Sequence, residues 1–206
     1  MIYTLVLAAG SSTRLGGHPK ALLTTTTGKT FVQQIADTAK AAGSGGVYVV
    51  IGAPHGDQIK KRLPPGVGSC VNPRPDRGML SSIEVGLQSL PQNVSAVLVW
   101  PVDVPMVSVE TVRAIMTAAP GKIVTPICNG KGGHPIRIPR ARFGDVSALD
   151  PEIGLRQIFE KHADKVERLN VTDDGVLVDV DTQADYDKLR AAHLPDEPAA
   201  KPKKGK

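Results

Sequence analysis

Short apolar runs alternate along the chain with longer stretches in which apolar residues recur every three or four positions. The short runs are rich in Val, Ile and Leu, a pattern that predicts strands buried on both faces. These predicted strands are 2–7, 47–51, 67–71, 96–100 and 122–126, with weaker ones at 135–138, 165–169 and 177–180. The amphipathic stretches predict helices at 31–42, 55–63, 82–90, 109–118, 155–162 and 183–192.

Three predicted helices carry a start signal with capping-box spacing, in which a hydroxyl residue precedes an acid or amide by three positions. The pairs are Thr30 with Gln33, Ser81 with Glu84, and Thr182 with Asp185, and capping accounts for Ser81 in full. Continuous apolar strands separated by helices indicate a largely parallel sheet that is covered by helices on each face. The sequence therefore predicts an α/β fold, and in such sheets ligands bind beyond the carboxyl ends of the strands.

Composition agrees with one globular domain and argues against several other classes of protein. The chain has 206 residues, of which 41% are hydrophobic and 22% are charged. Its net charge of +5 comes largely from the lysines of the C-terminal KPKKGK, so the rest of the chain is close to neutral in net charge. We expect a single domain over 1–193 and a disordered lysine-rich tail over 194–206. Aromatic residues make up only 3%, which argues against stacking platforms for single-stranded nucleic acid, and we expect no nucleic-acid partner.

The sequence also bears on where the protein is located and on the state of its thiols. The first residues, MIYTLVLA, have strand character and lack the basic and cleavage regions of a signal peptide. No apolar run approaches the roughly 20 residues that span a membrane. Cys70 and Cys128 lie far apart within apolar stretches and fit neither a zinc site nor a CxxC motif. We expect a cytoplasmic protein with free thiols and no membrane partner.

The stretch LVLAAGSSTRLGGHPKALL places glycines and two cations directly after the first predicted strand. Glycine-rich turns at this position often bind phosphates, since backbone N–H groups can converge on an anion. The dinucleotide fingerprint G-x-G-x-x-G does not fit, because the next glycines after Gly10 are Gly16 and Gly17. A Walker A loop at TTTTGKT fails too, because Leu23 stands where that motif requires its first glycine.

A third pattern, L-A-A-G-x-S-x-R-(M/L)-G-G-x-x-K, fits this loop closely. The matching residues are Leu7, Ala8, Ala9, Gly10, Ser12, Arg14, Gly16, Gly17 and Lys20. Here the chain resembles the MobA-like nucleotidyltransferases, the NTP-transferase family that includes the molybdenum-cofactor guanylyl- and cytidylyltransferases. The resemblance implies a Rossmann-like three-layer α/β/α fold of the nucleotidyltransferase type, with a mostly parallel mixed sheet.

Four later segments strengthen this resemblance and extend it over most of the chain. They are GMLSSIEVGL (78–87), PVDVPMV (101–107), GHPIRIP (133–139) and VDVDT (178–182). The third segment is typical of the cytidylyltransferase branch of the family. The stretch DPEIGLR at 150–156 departs from the G-D-x-G-A-R pattern of that branch and keeps only Gly154 and Arg156.

The resemblance implies roles for residues in each segment. Arg14 and Lys20 are the predicted catalytic cations, which offset the charge of a triphosphate. Asp103 is the main predicted Mg²⁺ ligand, since a carboxylate after an apolar strand is costly to bury unless it is paired or binds a metal. Asp181 is the predicted second ligand, although it could instead be a surface acid before a helix cap, and Asp179 lies close by. The predicted nucleotide-binding residues are Leu7, Ala8, Ala9, Gly10, Ser12, Gly16, Gly17, Gly78, Ser82 and Pro101, and the predicted acceptor-binding residues are Gly133, His134 and Pro135.

The implied reaction is Mg²⁺-dependent transfer of NMP from an NTP to a phosphorylated acceptor, with release of pyrophosphate. CTP is the favoured donor and GTP the alternative, because the LAAG opening and the GHP segment resemble the cytidylyltransferase branch. Molybdopterin is the first acceptor to consider, and a sugar or polyol phosphate is the alternative. A nucleotide-binding protein without turnover is a second class of function. The failed fingerprint disfavours a third, a nicotinamide-dependent oxidoreductase.

Overall fold

A computed structural model of the chain describes residues 1–151 and 153–192, and its elements follow the predicted alternation of strands and helices. The strands are β1 (Ile2–Leu7), β2 (Val47–Ile51), β3 (Val67–Val71), β4 (Ala96–Pro101), β5 (Ile123–Cys128), β6 (Lys131–Gly132), β7 (Ile136–Pro139) and β8 (Val166–Asn170). The helices are α1 (Phe31–Ala42), α2 (Gly56–Lys60), α3 (Met79–Ser89), α4 (Val109–Thr117), α5 (Phe143–Val146), α6 (Gln157–Lys161) and α7 (Gln183–Ala192).

Hydrogen bonds join the strands into one sheet in the order β3-β2-β1-β4-β7-β5, with β6 and β8 each paired with β5. The pairs among β1 to β4 are parallel, as is β5 with β8, whereas β7 is antiparallel to both of its neighbours. The prediction of a mostly parallel mixed sheet is therefore confirmed. In the β1–β4 register Leu7 lies opposite Pro101, so the carboxyl ends of these two strands meet at one edge of the sheet.

Alternate residues of the central strands pack into two apolar cores, one on each face of the sheet. Val6 and Trp100 belong to the core that α1 and α4 cover, and both are fully buried. Leu5 and Val99, their neighbours in sequence, belong to the core on the other face, which α3 and α6 cover. This alternation is the period of two that a strand imposes, and it gives the predicted α/β/α layering.

Several predicted elements have different bounds in the structure. The predicted strand at 177–180 is wrong, because this segment lies beside the end of β4 without joining the sheet. Val180 donates its N–H to the Asp103 carbonyl over 2.9 Å and buries its side chain in the core. The hairpin strand β6 was not predicted, since its Lys-Gly sequence carries no apolar pattern. The helix predicted over 55–63 ends at Lys60, and that over 155–162 begins as a 3₁₀ turn before α6.

The prediction that Ser81 caps a helix is also wrong. Helix α3 begins at Met79, directly after Gly78, which has a φ of 81°. Ser81 therefore lies within the first turn of the helix. The Ser81 hydroxyl donates to the Gly78 carbonyl over 2.8 Å and accepts a hydrogen bond from Asn72 Nδ2 over 2.9 Å. The predicted capping boxes at the starts of α1 and α7 are both confirmed.

Arg137 is an unexpected charge in the middle of β7, where its neighbours are apolar. Only 3% of the residue is exposed. Its guanidinium donates to carbonyls in the last turn of α4 and in the chain that follows the helix. These acceptors are Ile115, Met116 and Ala118 at 2.8–3.0 Å, together with Ala119 and Lys122. Burial lowers the pKa of Arg137, and the charge of Glu167 on β8 acts in the opposite direction.

Three smaller expectations concern the surface and the thiols. The described residues include no helix with the length and apolar character needed to cross a membrane. The predicted lysine-rich tail at 194–206 lies outside the described residues. Cys70 and Cys128 are free thiols, as predicted, and burial raises the pKa of the Cys70 thiol.

Candidate active site

The carboxyl ends of β1 and β4 carry the loop at 8–20 and the loop at 101–107, which meet because the two strands are neighbours in the sheet. The segment 177–182, which leads into α7, lies against the second loop through the hydrogen bond from Val180 to Asp103. Three stretches that are far apart in sequence thus reach one edge of the sheet. This is the edge at which ligands bind in open α/β sheets.

The first loop is held in a tight, irregular conformation. Ser12, Gly16 and Gly17 have φ values of 53°, 62° and 78°, in the left-handed region that glycine adopts most easily. The Ser12 side chain accepts a hydrogen bond from the Lys20 backbone N–H over 3.2 Å, which ties the two ends of the loop together. The His55 ring at the start of α2 contacts the Ser11 carbonyl at 3.1 Å and holds the loop from outside.

A four-residue ion cluster lies at the mouth of this loop. Lys20 Nζ is 3.1 Å from Asp103 Oδ2 and also forms an ion pair with Asp181 Oδ1. Arg14 Nη1 is 3.5 Å from Asp181 Oδ2. Burial lowers the pKa of the Lys20 ammonium, but the hydrogen bonds and charges of Asp181 and Asp103 outweigh it and raise the pKa above its usual value. The lysine is therefore firmly cationic at neutral pH.

The cluster lines a cavity of about 240 Å³. Eight predicted site residues line it, namely Leu7, Ala8, Gly10, Ser12, Arg14, Lys20, Asp103 and Asp181. Pro101 precedes the lining residue Val102, while Gly16 and Gly17 shape the bend of the loop. Ala9 is buried in the core on the α3 face of the sheet.

Two other predicted nucleotide contacts lie on α3 and its approach. Gly78 is exposed at the start of the helix, whereas Ser82 is 5% exposed and accepts a hydrogen bond from Asn72 Nδ2 over 3.0 Å. Asn72, which follows β3, also accepts the Arg74 N–H over 2.9 Å. Sequence reasoning missed both Asn72 and His55. Their signal is a polar residue one to four positions after a strand, at the edge of the sheet that holds the site.

The predicted acceptor-binding segment lines a neighbouring cavity of about 570 Å³. Gly133 and His134 are on its wall, and Pro135 follows His134 through a cis peptide bond. His134 Nδ1 is buried and has no hydrogen-bond partner among the described residues. Burial lowers the pKa of His134, while the charges of Asp103 and Asp179 act in the opposite direction. Burial therefore favours the neutral form of the ring.

The donor set of the ion cluster suits a hard divalent cation. Asp103 and Asp181 converge on a single cationic atom, Lys20 Nζ, so their oxygens can also approach one metal ion. Among residues 1–151 and 153–192, no group of three or more His, Cys, Asp or Glu side chains forms a complete metal cage. This matches the usual way in which proteins hold Mg²⁺, with one or two carboxylates and with phosphate oxygens of the substrate.

Comparison with known proteins identifies the family. A family model, the MobA-like NTP transferase domain, matches residues 4–166. The chain belongs to this family. It is accordingly a nucleotidyltransferase of the MobA-like type, and the resemblance inferred from the sequence is confirmed.

Relatives of this MobA-like transferase have diverse names. Nicotine blue oxidoreductase of Paenarthrobacter nicotinovorans is 31% identical over 188 residues, which cover 86% of this chain and 91% of that protein. A probable molybdenum cofactor guanylyltransferase of Rhodopirellula baltica is 31% identical over 152 residues, 73% of this chain and 65% of that protein. The crystal structure of Rv0371c from Mycobacterium tuberculosis H37Rv has a TM-score of 0.80 and 27% identity, covering 92% of this chain and 97% of that one. A second structure of Rv0371c, in complex with manganese, has a TM-score of 0.77 and 26% identity, covering 93% and 98%.

Proposed function

We propose that this MobA-like transferase uses Mg²⁺ to transfer CMP from CTP to a phosphorylated small molecule, with release of pyrophosphate. The observation that carries the proposal is the convergence of Arg14, Lys20, Asp103 and Asp181 on one cavity beyond β1 and β4. Two cations and two carboxylates are the groups needed to hold a triphosphate together with a divalent metal. We place the reaction in the cytoplasm, with neither a nucleic acid nor a membrane as partner.

The transfer forms one bond and breaks one. An oxygen of the acceptor phosphate attacks the α-phosphorus of CTP, and the bond from that phosphorus to the bridging oxygen of pyrophosphate breaks. The acceptor oxygen is already ionised at neutral pH, so no side chain has to remove a proton. The obstacle is charge repulsion, since unit charges 4 Å apart interact by about 4 kcal/mol at an effective dielectric constant near 20.

The residues of the cavity address this charge problem. Arg14 presents a planar fork of donors that suits phosphate oxygens, and Lys20 supplies a mobile point charge. Asp103 and Asp181 would hold the Mg²⁺, which when bound neutralises charge on the phosphates and pyrophosphate. The backbone of the loop at 8–20 positions the triphosphate, and the catalytic effect comes mainly from positioning and from charge stabilisation.

The acceptor is proposed to bind in the larger cavity beside His134. Arg156 and Arg168 line this cavity and can attract an anionic group, while Met79, Ile153 and Phe159 give it an apolar side. Such a lining favours a phosphorylated molecule with a flat, partly apolar body, so molybdopterin is our first choice. A sugar or polyol phosphate is the alternative, because the 150–156 stretch departs from the pattern of the cytidylyltransferase branch.

A thermal-shift panel tests the donor. We expect CTP with Mg²⁺ to raise the melting temperature more than ATP, GTP or UTP, because a ligand that binds only the folded state stabilises it. If GTP gives the largest shift in melting temperature, the transferred group is GMP rather than CMP. Absence of a shift with all four nucleotides would contradict the triphosphate site. Pyrophosphate release on addition of candidate acceptors then tests turnover against nucleotide binding alone.

An oxidoreductase is a second candidate, and one observation favours it. The relative named nicotine blue oxidoreductase matches over 91% of its own length. The first loop lacks the dinucleotide fingerprint, and the ion cluster supplies two carboxylates that a nicotinamide cofactor does not require. Titration with NADH and NADPH decides between the two, since enhanced nicotinamide fluorescence on mixing would support the oxidoreductase.

The two cations are expected to act mainly on the chemical step. Lys20→Ala should lower kcat by about a hundredfold, because a largely buried ammonium contributes most where charge develops in the transition state. Arg14→Ala should lower kcat less, since 74% of the Arg14 side chain is exposed and its charge is screened by water. Steady-state kinetics with CTP check this. A change in KM alone for both variants would show that the two residues only bind the ground state.

A further inference from the structure

One ammonium group holds the two carboxylates to which the proposed function assigns the metal. Lys20 Nζ is 3.1 Å from Asp103 Oδ2 and also donates to Asp181 Oδ1. Only 16% of the Lys20 side chain is exposed, and only 26% of the Asp103 side chain, so water screens their attraction weakly. The ammonium therefore lies at the point on which both acids converge.

This arrangement and a metal-bound arrangement exclude one another. An ammonium has three donors and no acceptor, so it cannot be a metal ligand. A divalent cation held by both Asp103 and Asp181 would lie beside the position of Nζ, where the two positive charges repel. Lys20 must leave the two acids before they can bind a metal together. Arg14 adds a weaker contact to Asp181 at 3.5 Å.

We propose that Lys20 competes with the divalent metal for Asp103 and Asp181, and that an incoming triphosphate releases this competition by drawing Lys20 to its phosphates. The inference rests on the proposed function, because it takes the same carboxylates as metal ligands. Lys20 ends the loop that lines the cavity, and its flexible four-carbon stem lets the ammonium reach either partner. Metal and nucleotide then enter together, and the metal alone binds weakly.

Replacing the ammonium should have opposite effects on two ligands. In Lys20→Met, bare Mn²⁺ should bind about tenfold more tightly than to the wild type, because its competitor is gone. The complex of Mn²⁺ with CTP should bind about tenfold less tightly, because its phosphates lose a cation. Electron paramagnetic resonance of free Mn²⁺ measures the first affinity, and calorimetry measures the second. A purely structural role of Lys20 would weaken both affinities.

Lys29→Met is the matched control. Lys29 also pairs with a carboxylate, Asp37, at 2.7 Å, and its removal changes the net charge by the same amount. Its side chain is 49% exposed, so we expect no change in either affinity. Arg14→Met should give a smaller gain in Mn²⁺ affinity than Lys20→Met, because Arg14 touches only one of the two acids. Melting temperatures establish that each variant is folded.

An Mn²⁺ affinity of Lys20→Met equal to or below that of the wild type overturns the inference. If Lys20→Met does not fold, Arg14→Met takes its place, and a gain no larger than that of Lys29→Met overturns it equally. Mn²⁺ binding by Asp103→Asn distinguishes a failure of the proposed competition from a failure of the metal assignment. Lost Mn²⁺ binding in Asp103→Asn without a gain in Lys20→Met overturns the competition alone. Unchanged Mn²⁺ binding in Asp103→Asn overturns both the competition and the metal assignment of the proposed function.

Discussion

Asp103→Asn is expected to lower metal-dependent nucleotidyl transfer by about a thousandfold, which corresponds to about 4 kcal/mol of transition-state stabilisation. The amide keeps the size of the side chain but removes the charge that a hard cation requires. The fold should persist, because Lys20 keeps its ion pair with Asp181 when Asp103 loses its charge. Pyrophosphate release, measured across a range of Mg²⁺ concentrations, gives the size of the effect.

Asp179→Asn is the control for this experiment. Asp179 is exposed, carries the same chemical group and lies two positions before Asp181. We expect it to stay within about twofold of wild-type activity, since its exposed carboxylate is screened by water and pairs with neither Arg14 nor Lys20. Wild-type activity in Asp103→Asn would show that another group holds the metal. A large loss in Asp179→Asn would indicate that the second ligand is Asp179 and not Asp181.

The central strands could be predicted almost to the residue. β1 and β2 have the predicted bounds, because a strand buried on both faces leaves a continuous apolar run with sharp polar ends. The edge strand β3 also has the predicted bounds, although it is only partly buried. The same signal failed at 177–180. There Val180 is apolar because it packs into the core beside β4, and an apolar pattern does not reveal whether the backbone joins a ladder.

The candidate site was predictable only where its chemistry is local in sequence. Arg14 and Lys20 share one loop with several glycines, and Asp103 follows an apolar strand directly, so each carries its own signal. The contact between Lys20 and both acids depends on β1 and β4 being neighbours and on the path of 177–182. Asn72 and His55 each follow a strand, but the hydrogen bonds that they form to other loops and to α3 depend on the tertiary fold and could not be predicted from the sequence.

Arg137→Met is expected to lower the free energy of unfolding by about 3–5 kcal/mol. The guanidinium donates hydrogen bonds to carbonyls at the end of α4 and in the chain that follows. Methionine would leave these buried acceptors without donors. The loop is also fixed from β8, where Glu167 accepts the Ala119 N–H over 2.8 Å. Arg137→Lys should lose less than Arg137→Met, because lysine keeps the charge but cannot reproduce the planar fork.

Urea unfolding of the variants measures this effect, with Arg140→Met as the control. Arg140 lies three positions away, is exposed, and stacks over the Phe143 ring with 5.9 Å from its guanidinium carbon to the ring centroid. Its loss should cost less than about 1 kcal/mol, as is typical of exposed cation–π contacts. Equal destabilisation by Arg137→Met and Arg140→Met would contradict the argument. A buried charge in a central strand is stable here because backbone carbonyls satisfy it, so its removal must cost far more than the loss of one surface contact.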